Sequence, residues 1–215
     1  MKVKVCGMKH NIAGVAGLQP DYLGFIFWES SPRYFDGVLP DLPPQVIKVG
    51  VFVDASIPFI LQKMHQYGLG LIQLHGNESP GYCRELRKAI VAGINGENKV
   101  GIIKVFPIKD SFDFRLLDPY EDACDYYLFD TRGKLPGGNG YAFDWQVLRD
   151  YPSGKPYFLS GGIGPANLPQ LRIFLKRPEA QKCHAIDVNS RFELQPGLKN
   201  TELLNEFINA VALKH

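Results

Sequence analysis

The chain has 215 residues, 45% hydrophobic and 21% charged, a balance that suits one globular core and excludes disordered, collagen-like and low-complexity classes. Its 24 basic and 22 acidic residues leave a formal net charge of +2 and are interspersed, so neither nucleic acid nor a membrane surface is an expected partner. The longest uncharged run, residues 156 to 171, carries three Pro and three Gly and falls short of the roughly 18 apolar residues of a membrane span. Lys9, His10 and Asn11 interrupt any apolar leader, which makes a reducing cytoplasm the expected setting. Cys6, Cys83, Cys124 and Cys183 are far apart and form no CxxC pair, so neither a disulfide framework nor a zinc ribbon is expected. His10, His65, His184 and His215 are unpaired as well, and no metal site is read.

Short apolar, β-branched runs recur about eight times, roughly 27 residues apart, which suits a strand, two loops and a helix. In chain order the runs are 2 to 6, 22 to 27, 46 to 53, 70 to 75, 100 to 106, 126 to 129, 157 to 160 and 184 to 188. Such continuous runs fit parallel strands covered on both faces. After the second run Pro40, Pro43 and Pro44 leave no room for a full helix, so a loop or single turn is expected there. Ser56 and Gly68 bracket one helix, Ser79-Pro80 and Gly93 another, and Pro165 opens a third. The last helix, roughly 200 to 213, lines up Leu203, Leu204, Phe207, Ile208 and Val211 on one stripe. Eight alternating units favour one closed (β/α)8 barrel over an open doubly wound sheet, as a single catalytic domain spanning residues 1–215 with a degenerate second helix. Lys2, Lys4 and Cys6 share one strand face, and Gln73 and His75 another, which suits a lumen with a polar mouth or, alternatively, a solvated face.

In a closed α/β barrel the chemistry sits where the strands end. Those positions hold Cys6, Arg33, Asp54, His75, Asp130, the pair Gly161-Gly162, and Asn189-Ser190. Cys6 and Asp130 are far apart in sequence but would share one mouth, as a base and an acid. A thiol near its ordinary value of about 8.5 needs positive charge to act as a base at neutral pH. Lys4 is expected to supply it and to lower the Cys6 pKa. A small buried hydrophobe and a turn residue are the plain readings of the same two positions. The SGGIGP run, 160 to 165, and the DVNSR run, 187 to 191, place small residues after the last two strands, where backbone amides can face a phosphate. By contrast GGNG, 137 to 140, completes no nucleotide motif and reads as a mobile lid. His75 reads as a substrate contact or a hydrogen-bonded wall residue, and Arg33 as a carboxylate clamp or a surface arginine.

KVCGM (4 to 8), DYLGFIF (21 to 27), SPRY (31 to 34), KVGVFVD (48 to 54), IQLHG (72 to 76), FDT (129 to 131), GGNGYAFDW (137 to 145), LSGGI (159 to 163) and DVNSRFELQPG (187 to 197) resemble, in that order, the phosphoribosylanthranilate isomerase family of tryptophan biosynthesis. The resemblance implies a (β/α)8 isomerase that carries out an Amadori rearrangement on a small phosphosugar without metal or organic cofactor. It implies Asp130 as general acid, Cys6 as general base, Arg33 on the anthranilate carboxylate, and Gly161, Gly162, Asn189 and Ser190 around the phosphate. Asn139 and the bulky Arg191 depart from the family pattern. A related sugar-phosphate isomerase that uses two Asp, and a non-catalytic phosphate-binding barrel, are the competing readings; the Cys6/Asp130 pair speaks against both. The sequence leaves monomer and homodimer open.

Overall fold

Eight parallel strands close on themselves in sequence order: β1 (Lys2–Val5), β2 (Tyr22–Ile26), β3 (Ile47–Phe52), β4 (Leu71–Leu74), β5 (Gly101–Ile108), β6 (Tyr126–Thr131), β7 (Tyr157–Leu159) and β8 (Cys183–Val188). The computed structural model describes residues 1–93, 100–131 and 144–212. The GGNG lid reading therefore lies outside the described residues. Every expected strand is present, and β1 pairs with both β2 and β8, setting Lys4 opposite Asp187 at the closing seam.

Helices α1 (Ile12–Ala16), α2 (Ile57–Tyr67), α3 (Pro80–Gly93), α4 (Leu168–Phe174) and α5 (Thr201–Ala212) pack outside the strands. Gly68 takes φ +59° and ends α2 with its amide on the Met64 carbonyl, as a left-handed C-terminal residue does. The expected degenerate second unit is real: between β2 and β3 no described residue is helical. Its place on the outer wall is taken by Phe35, whose ring lies 5.0 Å from Phe25 and 5.5 Å from Tyr67. The degeneracy is wider than expected. After β5 and β6 the described residues form only 3-10 segments, Phe114–Tyr120 and Trp145–Asp150, and Pro119 sits inside the first, where an α-helix would lose a hydrogen bond. Pro165 likewise opens a single 3-10 turn, Pro165–Asn167, before α4.

Inward-facing side chains divide the lumen into two zones. Val49, Leu71, Ile103, Leu128, Phe158 and Ala185 form a dry cluster separate from the outer core. One inward step further along the same strands come Gln73, Asp130, Ser160 and Asp187. Lys4, Gln73 and Asp187 are all buried there, at 0%, 1% and 6% exposure. A hairpin of β9 (Glu193–Gln195) and β10 (Leu198–Lys199) follows β8 and is tied back to the first loop, where His10 donates its amide to Gly197.

Candidate active site

The mouth is assembled from glycines that let neighbouring chains touch. A Cβ on Gly24 in β2 would lie 2.9 Å from the Cys6 sulfur, so the glycine makes room for the thiol. Gly7 has φ +72°, and a Cβ there would meet Asn189 Oδ1 at 2.6 Å and Arg33 Cδ at 2.7 Å. The Cys6-Gly7 pair thus places a thiol and, next to it, the one residue type that lets the loops after β2 and β8 meet over it.

Cys6, Arg33, Gln73, His75, Asp130 and Asp187 line one cavity at the C-terminal end of the barrel, together with Gly161, Gly162, Asn189 and Ser190. Of the strand-end residues expected from sequence, all but Asp54 are therefore brought together; Asp54 instead accepts from the Asn77 amide. A second hollow at the opposite end lies between Tyr22, Met64, Leu71 and Tyr126, and its described lining supplies no thiol. Barrel enzymes keep their chemistry at the other face.

Lys4 Nζ donates to Asp187 Oδ1 at 2.8 Å, and Ser160 Oγ donates to Asp187 Oδ2 at 3.2 Å. Burial alone would lower the Lys4 ammonium, but the Asp187 carboxylate and the Cys6 sulfur outweigh it and hold it above its ordinary value. Burial pushes the Cys6 thiol up; Lys4 and Lys199 pull it down, while Asp187 opposes them. The expectation that Lys4 lowers the Cys6 pKa agrees with the direction of its contribution, although the thiol as a whole is raised. Removal of water from a fully enclosed thiol outweighs two cations, one of which is already neutralised by Asp187.

Asp130, the penultimate residue of β6, has its Oδ2 3.4 Å from His75 Nε2, and both side chains are partly exposed to the cavity. Gln73 donates from its amide nitrogen to His75 Nδ1 at 3.1 Å, so His75 is a hydrogen-bonded wall residue that also faces the cavity. Arg33 is a carboxylate clamp, but its fork is engaged by the protein's own Glu193: Nε lies 2.9 and 3.0 Å from the two carboxylate oxygens and Nη2 lies 2.7 Å from one. Nη1 makes no contact with Glu193. Glu193 also accepts from Lys199 Nζ at 2.7 Å and from the Gly197 amide at 3.0 Å. Burial would raise its carboxyl, but Arg33 and Lys199 hold it below the usual range. Lys199 in turn donates to Asn189 Oδ1 at 2.7 Å, fixing that side chain at the edge of the β8 loop.

Gly161 and Gly162 adopt φ +92° and +67°, a run of left-handed residues of the kind that turns successive amides toward an anion. A Cβ on Gly161 would collide with Thr131, so this turn also packs against the end of β6. A Cβ on Gly164 would lie 2.8 Å from Arg191 Cβ, which places the bulky departure from the family pattern against the neighbouring loop. The Gly164 amide is already used, donating to Asn167 Oδ1 at 2.9 Å. Sequence reasoning missed Glu193, although it lies in the 187 to 197 motif, and Lys199, both of which lie beyond the last barrel strand. It also passed over Asp187 as a site residue, although its alternation with Asn189 on β8 placed it on the lumen face.

A closed parallel barrel whose C-terminal mouth gathers a thiol, a carboxyl and an imidazole beside the glycine-rich loop after β7 has the architecture of the (β/α)8 enzymes. The family model described as N-(5'-phosphoribosyl)anthranilate (PRA) isomerase matches residues 1–210. The N-(5'-phosphoribosyl)anthranilate isomerase of Parabacteroides distasonis is 41% identical, with 98% of this chain and 93% of the relative covered. The crystal structure of phosphoribosyl anthranilate isomerase from Thermus thermophilus superposes with a TM-score of 0.76 at 27% identity over 99% of this chain and 98% of that one. A phosphoribosyl anthranilate isomerase solved with reduced 1-(o-carboxyphenylamino)-1-deoxyribulose 5-phosphate gives 0.73 at 27% identity, covering 99% of this chain and 100% of that one. The chain belongs to the N-(5'-phosphoribosyl)anthranilate isomerase family.

Proposed function

We propose that the mouth of this barrel performs the family's isomerisation of N-(5'-phosphoribosyl)anthranilate, in tryptophan biosynthesis, with Asp130 as general acid and Cys6 as general base. The observation that carries this reading is that a buried thiol and a cavity-facing carboxyl, from β1 and β6, line one cavity between an arginine and an anion loop. Arg33 takes the anthranilate carboxylate through the nitrogen that Glu193 leaves uncommitted, and the backbone around Gly161, Gly162, Asn189 and Ser190 takes the phosphate. Anchoring both ends sets the sugar between acid and base.

Asp130 protonates the furanose ring oxygen as the C1'–O bond breaks, and the anilino nitrogen lone pair closes an iminium. Cys6 as thiolate then removes the C2' proton, and the electron pair moves through C1' onto nitrogen to give an enolamine, which tautomerises to the aminoketose. One proton leaves Asp130 and one arrives at Cys6, so the overall change is an isomerisation. Burial makes the Cys6 thiolate scarce but strongly basic, and the cationic iminium adds to Lys4 and Lys199 as the charge that favours it.

Turnover of freshly generated substrate, followed by loss of anthranilate-type fluorescence, tests the assignment. Cys6→Ser and Asp130→Asn should each lower kcat by about 10²- to 10⁴-fold while remaining folded. A folded variant with wild-type turnover removes that residue from its role.

A further inference from the structure

One polar group at the site is unaccounted for by this mechanism. Gln73 is 1% exposed, lines the same cavity as Cys6 and Asp130, and its Oε1 is buried without a hydrogen-bond partner. Its amide nitrogen is the group that meets His75 Nδ1. We propose that Gln73 is a positioning residue for the acid step: it fixes the tautomer of His75, which holds Asp130 in one orientation, and it offers its free Oε1 to a substrate hydroxyl or amino N–H. The proposal rests on reading Asp130 as the acid.

An amide NH2 can only donate, so the Nδ1 it meets at 3.1 Å is the lone-pair nitrogen and the ring proton sits on Nε2. That proton faces Asp130 Oδ2 at 3.4 Å, a contact long enough to tighten when the site fills. When that contact closes to a hydrogen bond, Oδ2 accepts from the imidazole and Oδ1 is left to face the substrate. Once the acid proton has left, the imidazole N–H stabilises the carboxylate that remains. The opposite tautomer would set a lone pair against that carboxylate. An orphaned buried acceptor is rare in folded proteins, and a ligand that donates to it accounts for its survival here. Gln73 reaches this position because β4 places residues 73 and 75 on the same face, and the His75 backbone is pinned by its amide to the Phe52 carbonyl at 2.8 Å.

Two substitutions separate this from a packing role. Gln73→Glu keeps the shape but puts an acceptor opposite Nδ1, and Gln73→Met keeps the length with no polar group. The ring-nitrogen signals of 15N-histidine-labelled protein, with His75 assigned by comparison with His75→Gln, report the tautomer directly. The wild type should be protonated at Nε2 and Gln73→Glu at Nδ1, with kcat of the latter down about a hundredfold and KM changed by less than about threefold. Gln73→Met should show mixed tautomers and a smaller fall in kcat. Near-wild-type kcat in Gln73→Glu, or an unchanged His75 signal, overturns the proposal. If Gln73→Glu does not fold, full kcat in Gln73→Met overturns it instead. Full turnover in Asp130→Asn removes the acid assignment and with it the positioning role, whichever tautomer His75 shows.

Discussion

The two zones of the barrel lumen are made by the same strands and the same alternation, yet they obey different rules. One inward step takes Leu71 to Gln73, Leu128 to Asp130, Phe158 to Ser160 and Ala185 to Asp187. The lower zone is sealed by rings: Phe158 stands 5.5 Å from Tyr22 and 5.4 Å from Tyr126 in edge contacts. Because that floor is apolar, the buried groups above it find no hydrogen-bond partner below, and Lys4, Asp187 and Ser160 satisfy one another. A stiff polar mouth thus depends on an apolar base, and stability and chemistry are assigned to different zones of the same strands.

That division can be broken first at Phe158. Phe158→Ala should cost about 3–5 kcal/mol of stability in urea denaturation, with KM within about twofold of wild type. A large change in KM with little loss of stability would mean the floor shapes the site directly. At the mouth the effect should be inverted and smaller. Arg33→Lys loses the planar fork and should raise KM about 10- to 100-fold, in line with the roughly 1.5–3 kcal/mol of a hydrogen bond to a charged group, while stability falls less than in Phe158→Ala. The smallest change sharpens the electrostatics. Alkylation of Cys6 by iodoacetamide should rise only above the ordinary thiol range, since burial pushes its pKa up and leaves less thiolate at any given pH. In Lys4→Gln the profile should move to still higher pH, because the variant removes a cation that pulls the thiol down. An unmoved profile would show that Lys4 serves Asp187 alone.

The eight strands were legible because a parallel strand covered on both faces is a continuous apolar run, and the helix ends at Pro58, Gly68 and Pro80 because Pro and Gly act on the local backbone; Ser56 precedes α2 without a side-chain cap bond. Cys6, His75 and Asp130 were legible for a related reason: each closes a strand, so knowing the strands located them. What stayed hidden depends on contacts that sequence distance conceals. Glu193 occupies the Arg33 fork across 160 residues, and nothing near either residue signals it. The net direction of the Cys6 shift was hidden too, because strand alternation shows that Lys4 is near but not how completely the thiol is enclosed. The loss of regular helix after β5 was readable in part, from Pro119.

The seam between β1 and β8 has a consequence for how the enzyme comes into being. Lys4 and Asp187 meet across 183 residues, and Cys6 hydrogen-bonds through its amide to the Val188 carbonyl at 2.8 Å. Contacts of such separation carry a high loop-closure entropy and form late. During synthesis the thiol leaves the ribosome long before the eighth strand but acquires its charged surroundings only when that strand arrives. Assembly of the reactive thiol's environment and completion of the cylinder are therefore one event, and a partly folded chain carries a cysteine that is chemically ordinary.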